Sequence, residues 1–330
     1  MYNQFSEFLK GKQRLCIIQA ENPDGDSLGS ALALDEILGD DYETTLYCPV
    51  DIPKYLRYFK DWSRIEIDFD YQADGYIIVD TASTILLSKL LDDSAIRKCL
   101  YDKPVFVFDH HESECDLEFE HTLFVEDLPA CCSLIYKVAK DQNLKINPQA
   151  AEYLLAGIEA DTLGLTSPST TADTFRTAAE LTELGANIAQ MEESRREFMK
   201  KSPRILSYKA DLIKRIDYSL DGQLATVHIP WADIHEYSDE YNPGVLIIEE
   251  MRLVEGVEVA VAVKTYPDGR VTGKIRTSTP IADQIAGYFG GGGHAYAAGF
   301  RTYDTDYTEV LRGLVQAVER LNEEARHEQI

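Results

Sequence analysis

Basic residues are scarce in this chain of 330 residues: 32 Lys and Arg stand against 57 Asp and Glu, a formal net charge of −25. A broad basic surface for long duplex DNA or RNA is therefore not expected. A small anion stays open as a ligand if a metal and a few local cations hold it. No run of 18 apolar residues occurs, so no membrane span is expected. The opening Met1-Tyr2-Asn3-Gln4-Phe5 has no basic segment leading into an apolar core, so no secretory signal is read there. The six cysteines, Cys16, Cys48, Cys99, Cys115, Cys131 and Cys132, form no Cys-x-x-Cys pair and no disulfide rhythm. Reduced thiols in a cytoplasmic protein are the expectation. Long repeats and low-complexity tracts are absent, and no histidine precedes His110.

What is present is enough apolar residue, 45%, for sizeable cores, and a length that suggests two domains. The stretch Asn22-Pro23-Asp24-Gly25-Asp26-Ser27-Leu28-Gly29-Ser30 follows the apolar run Leu15-Cys16-Ile17-Ile18, which reads as a buried parallel strand. It precedes a helix, Ala31 to Leu38. The same pattern recurs twice. Tyr76-Ile77-Ile78-Val79 ends in Asp80, with a helix from Ile85 to Leu100, and Val105-Phe106-Val107-Phe108 ends in Asp109-His110-His111. Tyr42–Pro49 reads as a further strand, and Pro53–Trp62 as a short helix. Helical periodicity continues over Ser133–Asp141, Pro148–Ala160 and Ala172–Leu184.

In an open parallel sheet the ligand lies beyond the carboxyl ends of the strands. That rule brings Asp24, Asp26, Asp80, Asp109 and His110 into one neighbourhood. Uncompensated carboxylates there would repel, and a divalent cation is the economical remedy. Asp26 could instead merely cap a helix, and Asp80 likewise. Three acidic strand ends with a His pair are harder to dismiss together. Oxygen ligands with one imidazole suit Mn²⁺ or Mg²⁺ better than a thiolate zinc site. Asp161, at a helix-to-loop junction, adds a carboxylate if it folds back.

The texture then changes. Residues 187–212 read as a charged, largely helical spacer. Leu224–Ile229, Val257–Tyr266 and Val271–Arg276 alternate like antiparallel strands, with a hairpin turn at Pro267-Asp268-Gly269. A short helix, Ile281–Tyr288, leads to Gly290-Gly291-Gly292-Gly293-His294, followed by a small-residue segment expected to be helical. Thr308–Arg326 reads as a closing amphipathic helix. Glycine lets backbone approach a ligand and present N–H groups to an anion. A flexible hairpin would account for one or two glycines but not for four. Arg276, at a strand end, is a candidate phosphate clamp through its fork of donors.

Taken together, the motifs N-P-D-G-D-S-L-G-S, I-I-V-D-T-A, F-D-H-H, A-G-I-E-A-D-T and G-G-G-G-H-A-Y-A-A-G resemble, in order, those of the DHH phosphoesterases. The likeness covers nearly the whole chain. It is greatest to the stand-alone two-domain members that degrade very short oligoribonucleotides and dephosphorylate 3′-phosphoadenosine 5′-phosphate. The resemblance implies an α/β protein. Residues 1–186 would form a parallel-sheet catalytic domain and residues 213–330 a smaller mixed α+β substrate domain, with the active-site cleft between them. It implies two metals, Mn²⁺ or Mg²⁺, bridged by Asp80. Asp26, His110 and Asp161 would complete one site, and Asp24 would serve the other. His111 would assist the leaving oxygen, Asp109 would orient the histidines, and Arg276, Gly291, Gly292, Gly293 and His294 would hold phosphate. One residue departs from the pattern: the family's His, four residues before the first Asp, is here Ala20, by natural variation or by an introduced replacement. Alanine cannot ligate, so the Asp24 metal site should be weakened and activity attenuated. Glu21 and Gln19 flank it in the wrong register. The implied partner is short single-stranded RNA or a nucleotide, and a homodimer is compatible with the sequence. The alternatives are a phosphodiesterase for cyclic di-AMP or pApA, and a nucleotide-binding protein without turnover.

Overall fold

The computed structural model describes residues 3–111 and 114–328. It divides into two compact units, Met1–Lys200 and Lys201–Ile330, each built on its own six-stranded sheet. In the first unit the elements run α1 (Asn3–Leu9), β1 (Arg14–Ile18), α2 (Gly25–Leu38), β2 (Glu43–Tyr47), β3 (Ile65–Glu66), β4 (Gly75–Val79), α3 (Ser88–Asp92), α4 (Ser94–Asp102), β5 (Val105–Asp109), β6 (Thr122–Val125), α5 (Cys131–Asp141), α6 (Pro148–Asp161), α7 (Ala172–Glu183) and α8 (Ile188–Phe198). The strands are all parallel, in the order β3-β2-β1-β4-β5-β6. The order reverses between β1 and β4, which is where such a sheet opens a crevice.

The apolar runs are continuous because both faces are covered. Ile17, Ile77, Phe106 and Phe108 pack on one face with residues of α1, α2, α5 and α6. Cys16, Ile18, Tyr76, Ile78 and Val107 pack on the other with residues of α3 and α4. Under the crevice α2 and α6 meet through glycine. A Cβ on Gly29 would lie 2.7 Å from the Tyr153 carbonyl oxygen, and one on Gly157 would lie 2.3 Å from Cys132 Sγ. Only glycine permits this approach of three helices.

The second unit contains α9 (Pro203–Lys214), β7 (Asp217–Ser219), β8 (Leu224–Ile229), α10 (Trp231–Tyr237), α11 (Pro243–Arg252), β9 (Val259–Thr265), β10 (Val271–Thr277), α12 (Ala282–Tyr288), β11 (Gly292–His294), β12 (Ala297–Thr302) and α13 (Tyr307–Glu328). Its sheet order is β11-β12-β10-β9-β8-β7, antiparallel except for the β8–β9 pair. One face carries α12 and α13, the other α9, α10 and α11.

Several elements differ from the sequence expectation. Pro53–Trp62 is not a helix but two single tight turns, Lys54–Leu56 and Trp62–Arg64, the second opened by Asp61 at φ +61°. The helix expected from Ile85 to Leu100 is broken. Asp93 is extended, and its side chain accepts from the Ala95 and Ile96 N–H groups, so it ends α3 and caps α4. Strand β6 was not legible, being four residues long at the sheet edge with one buried residue. The segment after His294 is strand β12 rather than a helix, because its pairing with β10 and β11 overrides the helical propensity of its alanines. The helices of 187–212 are seated rather than free: Met191 of α8 joins the first core, and Ile205, Tyr208 and Leu212 of α9 join the second.

Candidate metal centre

The loops after β1, β4 and β5 and the last turn of α6 converge at the crevice. His110 follows β5 directly. Its Nδ1 lies 3.0 Å from the Leu128 carbonyl oxygen, an acceptor only, so Nδ1 carries the proton. The other nitrogen, Nε2, is buried with no hydrogen-bond partner among the described residues. Three carboxylate oxygens surround it: Asp161 Oδ2 at 3.3 Å, Asp80 Oδ1 at 3.4 Å and Asp26 Oδ2 at 3.7 Å. Asp80 Oδ1 is likewise buried without a partner. Asp80 itself sits in the left-handed region at φ +63°, a conformation costly for a residue with Cβ and found at functional sites.

An imidazole nitrogen without a hydrogen-bond partner, facing three carboxylates, fits a divalent cation. Asp26, His110 and Asp161 present ligand atoms mutually close enough to hold one ion, as do Asp80, His110 and His111. The electrostatics agree. Burial, then the charges of Asp26, Asp24 and Asp161, drives the Asp80 carboxyl well above its usual range. Burial, then the charges of Asp26 and Asp24, pushes Asp161 up to about 7. Burial also raises Asp26, against the opposing pull of His110. A bound cation would relieve all three.

Asp26 is oriented by the start of α5: the Cys131 and Cys132 N–H groups donate to its two oxygens at 2.5 and 3.0 Å. The helix cap falls on Asp24, not Asp26. Asp24 Oδ1 accepts from Asp26 and Ser27 N–H, and Ser27 reciprocates in a capping box. Asp24 is exposed and joins neither group of ligand atoms, though its charge reaches Asp80 and Asp161. His111 turns its Nδ1 to Asp109 Oδ1 at 2.7 Å. That bond raises the His111 pKa above its ordinary value. Buried Asp109 is nevertheless held below the usual carboxylate range by His111 and by the N–H groups of His110 and His111.

Ala20, the position at which the resemblance leads one to expect histidine, is buried. Glu21 is committed elsewhere, accepting from Ser88 Oγ and Lys89 N–H at the start of α3. Gln19 is fully buried, and neither polar atom of its side chain has a partner among the described residues. Sequence reasoning set Gln19 aside on register, and no local signal marks its amide as orphaned.

In the second unit the glycine run is a helix stop and a hairpin. Gly290, at φ +70°, ends α12, with Gly290 N–H on the Gly287 carbonyl and Gly291 N–H on the Ala286 carbonyl. A Cβ on Gly291 or Gly293 would strike β12, whereas Gly292 has open space. Packing therefore accounts for Gly291 and Gly293 and backbone conformation for Gly290, three of the four glycines and more than the sequence suggested. His294 ends β11, and the expectation for its side chain lies outside the described residues. Arg276 is half-buried, with Nη1 on its neighbour's carbonyl and Nε 3.7 Å from Glu249.

Residues 14–158 match the family model described as DHH family, N-terminal domain. That match lies within the first unit, and of the candidate metal-centre residues it includes Asp26, Asp80 and His110 but stops short of Asp161. The chain is also similar in sequence, over most of its length, to two bacterial proteins. It is 24% identical over 319 residues to the "Probable bifunctional oligoribonuclease and PAP phosphatase NrnA" of Streptococcus mutans, covering 93% of this chain and 97% of that one. It is 27% identical over 300 residues to the "Bifunctional oligoribonuclease and PAP phosphatase NrnA" of Thermus thermophilus, covering 90% and 86%. In fold it resembles the crystal structure of an exopolyphosphatase-related protein from Bacteroides fragilis, at TM-score 0.83 and 17% identity over 97% of this chain and 95% of that one. No helix among the described residues is long and apolar enough to cross a membrane.

Proposed function

We propose that this protein is a metal-dependent phosphoesterase that hydrolyses very short oligoribonucleotides to mononucleotides and also acts on 3′-phosphoadenosine 5′-phosphate. The observation that carries the reading is the buried His110 Nε2, without a hydrogen-bond partner among the described residues and ringed by Asp26, Asp80 and Asp161. The likeness in sequence to two oligoribonuclease and PAP phosphatases over most of the chain supports the substrate class. Asp26, Asp80, His110 and Asp161 would hold Mn²⁺, with Mg²⁺ as the second choice for an oxygen-rich donor set. The bound ion supplies neutralisation of phosphate charge and a water made nucleophilic near neutral pH.

The protein's own groups do the rest. Asp109 holds the His111 ring by Nδ1 and favours its protonated form, so His111 donates a proton to the leaving oxygen. Arg276 and the backbone about Gly292 hold substrate phosphate. The Asp24 position is a second metal site short of a ligand, because Ala20 replaces an imidazole. The protein accordingly binds substrate and turns it over slowly.

A Mn²⁺ hydrolysis panel decides the substrate class. Pentaribonucleotide RNA, pApA, cyclic di-AMP and 3′-phosphoadenosine 5′-phosphate are compared at equal concentration. Mononucleotide release from RNA, with phosphate release from the nucleotide, is expected. Turnover confined to cyclic di-AMP or pApA would replace the reading with a dinucleotide phosphodiesterase. Binding without turnover of any member would make it a nucleotide-binding protein.

A further inference from the structure

In a chain of net charge −25, the second unit places two lysines together on one face of its sheet, neither in an ion pair among the described residues. On the face of the sheet that carries α11, β10 presents Thr272, Lys274 and Arg276 in alternation, and Lys264 of β9 stands opposite Thr272. Lys264 and Lys274 are thus diagonal neighbours. They line a cleft of about 120 Å³ whose other walls include Asn242, Gly244 and Tyr266. That is room for a phosphate rather than a whole nucleotide. Lys264 donates to Asn242 Oδ1 at 2.8 Å. Among the described residues neither lysine forms an ion pair. The charge of Glu249 acts on Lys274 and Arg276. Burial, then Lys274, brings Lys264 down to about 8. Two partly buried lysines lining one cleft are suited to bind an anion.

An aromatic pair adjoins the cleft. Tyr266 carries the Arg270 guanidinium 3.9 Å over its ring, and Trp231, 42% exposed, lies 5.8 Å from it. Cations beside exposed aromatics are the chemistry of single-stranded nucleic acid binding, in which phosphates meet charge and bases stack. Along β10, Lys274 and Arg276 are two residues apart, about 6.8 Å, close to the separation of neighbouring phosphates in a nucleotide chain.

We propose that Lys264 and Lys274 form a second phosphate subsite, with Trp231 and Tyr266 as its base platform, that engages the nucleotide next to the one held by Arg276. This rests on the short-RNA reading above and deepens it: the subsite selects oligomers over dinucleotides and nucleoside bisphosphates.

The test is fluorescence anisotropy in Mn²⁺ with labelled phosphorothioate RNA, a pentanucleotide and a dinucleotide, on the parent chain and on Lys264→Gln/Lys274→Gln. The double variant should bind the pentanucleotide about tenfold or more weakly, while its dinucleotide affinity changes less than about twofold. The slope of log affinity on log salt should fall by about 0.7 for each phosphate no longer neutralised by a lysine. Lys264→Arg/Lys274→Arg, which keeps the charge, should restore affinity and control for misfolding. In a Trp62→Phe background Trp231 is the sole tryptophan, and the pentanucleotide should quench it where the dinucleotide does not. Unchanged pentanucleotide binding in the glutamine variant, or equal weakening for both ligands, overturns the subsite. Lysine-dependent pentanucleotide binding by a protein that hydrolyses no RNA would fault the catalytic reading and leave the subsite standing.

Discussion

Single residues carry the argument at the metal centre. The Leu128 carbonyl binds His110 Nδ1 and so aims Nε2 at the carboxylates of Asp26, Asp80 and Asp161. Ala20 tests how much one missing side chain matters. Loss of even an outer partner of a metal ligand costs about 10–100-fold in affinity or activity, and a direct ligand should cost no less. Ala20→His should therefore raise Mn²⁺-dependent turnover of a short oligoribonucleotide about tenfold or more. No gain, with two equally tight metal sites in the parent, would mean that the neighbouring Gln19 amide or water already serves, and the attenuation account would fall. The residues of the candidate centre were legible in the sequence because Asp80 and His110 directly follow apolar strands, Asp26 opens the helix after another and Asp161 ends a helix. The orphaned Gln19 amide and the Asp24 cap were not, since both depend on where neighbouring backbone groups fall in space. The Lys264–Lys274 pair was invisible for the same reason: cross-strand register brings together residues ten apart in sequence.

Elements set the centre's precision. Asp26 is held by the first N–H groups of α5, and Cys132 of α5 packs against Gly157 of α6. An added methyl at Gly157 would lie 3.0 Å from Asp26 Oδ1 as well. Gly157→Ala should thus destabilise the protein by about 1–3 kcal/mol through overpacking and also weaken Mn²⁺ binding by displacing Asp26. Thermal unfolding with and without Mn²⁺ separates the effects. A variant that loses stability but keeps the full Mn²⁺ shift would show that Asp26 is not positioned by this packing. Strands buried on both faces were readable from apolar runs. The broken helix at Asp93 and the turns of residues 53–64 were not, because one extended residue or one left-handed Asp outweighs periodicity over a short stretch.

For the whole molecule, two sheets with separate cores imply two folding units. Calorimetric unfolding should resolve two transitions. Mn²⁺ at a hundred times its dissociation constant should stabilise the first unit by about 2.7 kcal/mol and leave the second unmoved. A single transition that shifts as one would show that the units unfold together. The central claim is that Asp26, Asp80, His110 and Asp161 form a divalent-metal centre. Isothermal calorimetry with Mn²⁺ on the protein and on Asp80→Asn tests it most directly. The account predicts one tight site in the protein and its weakening, by about tenfold or more, in the folded variant. Undiminished Mn²⁺ binding by Asp80→Asn would contradict it.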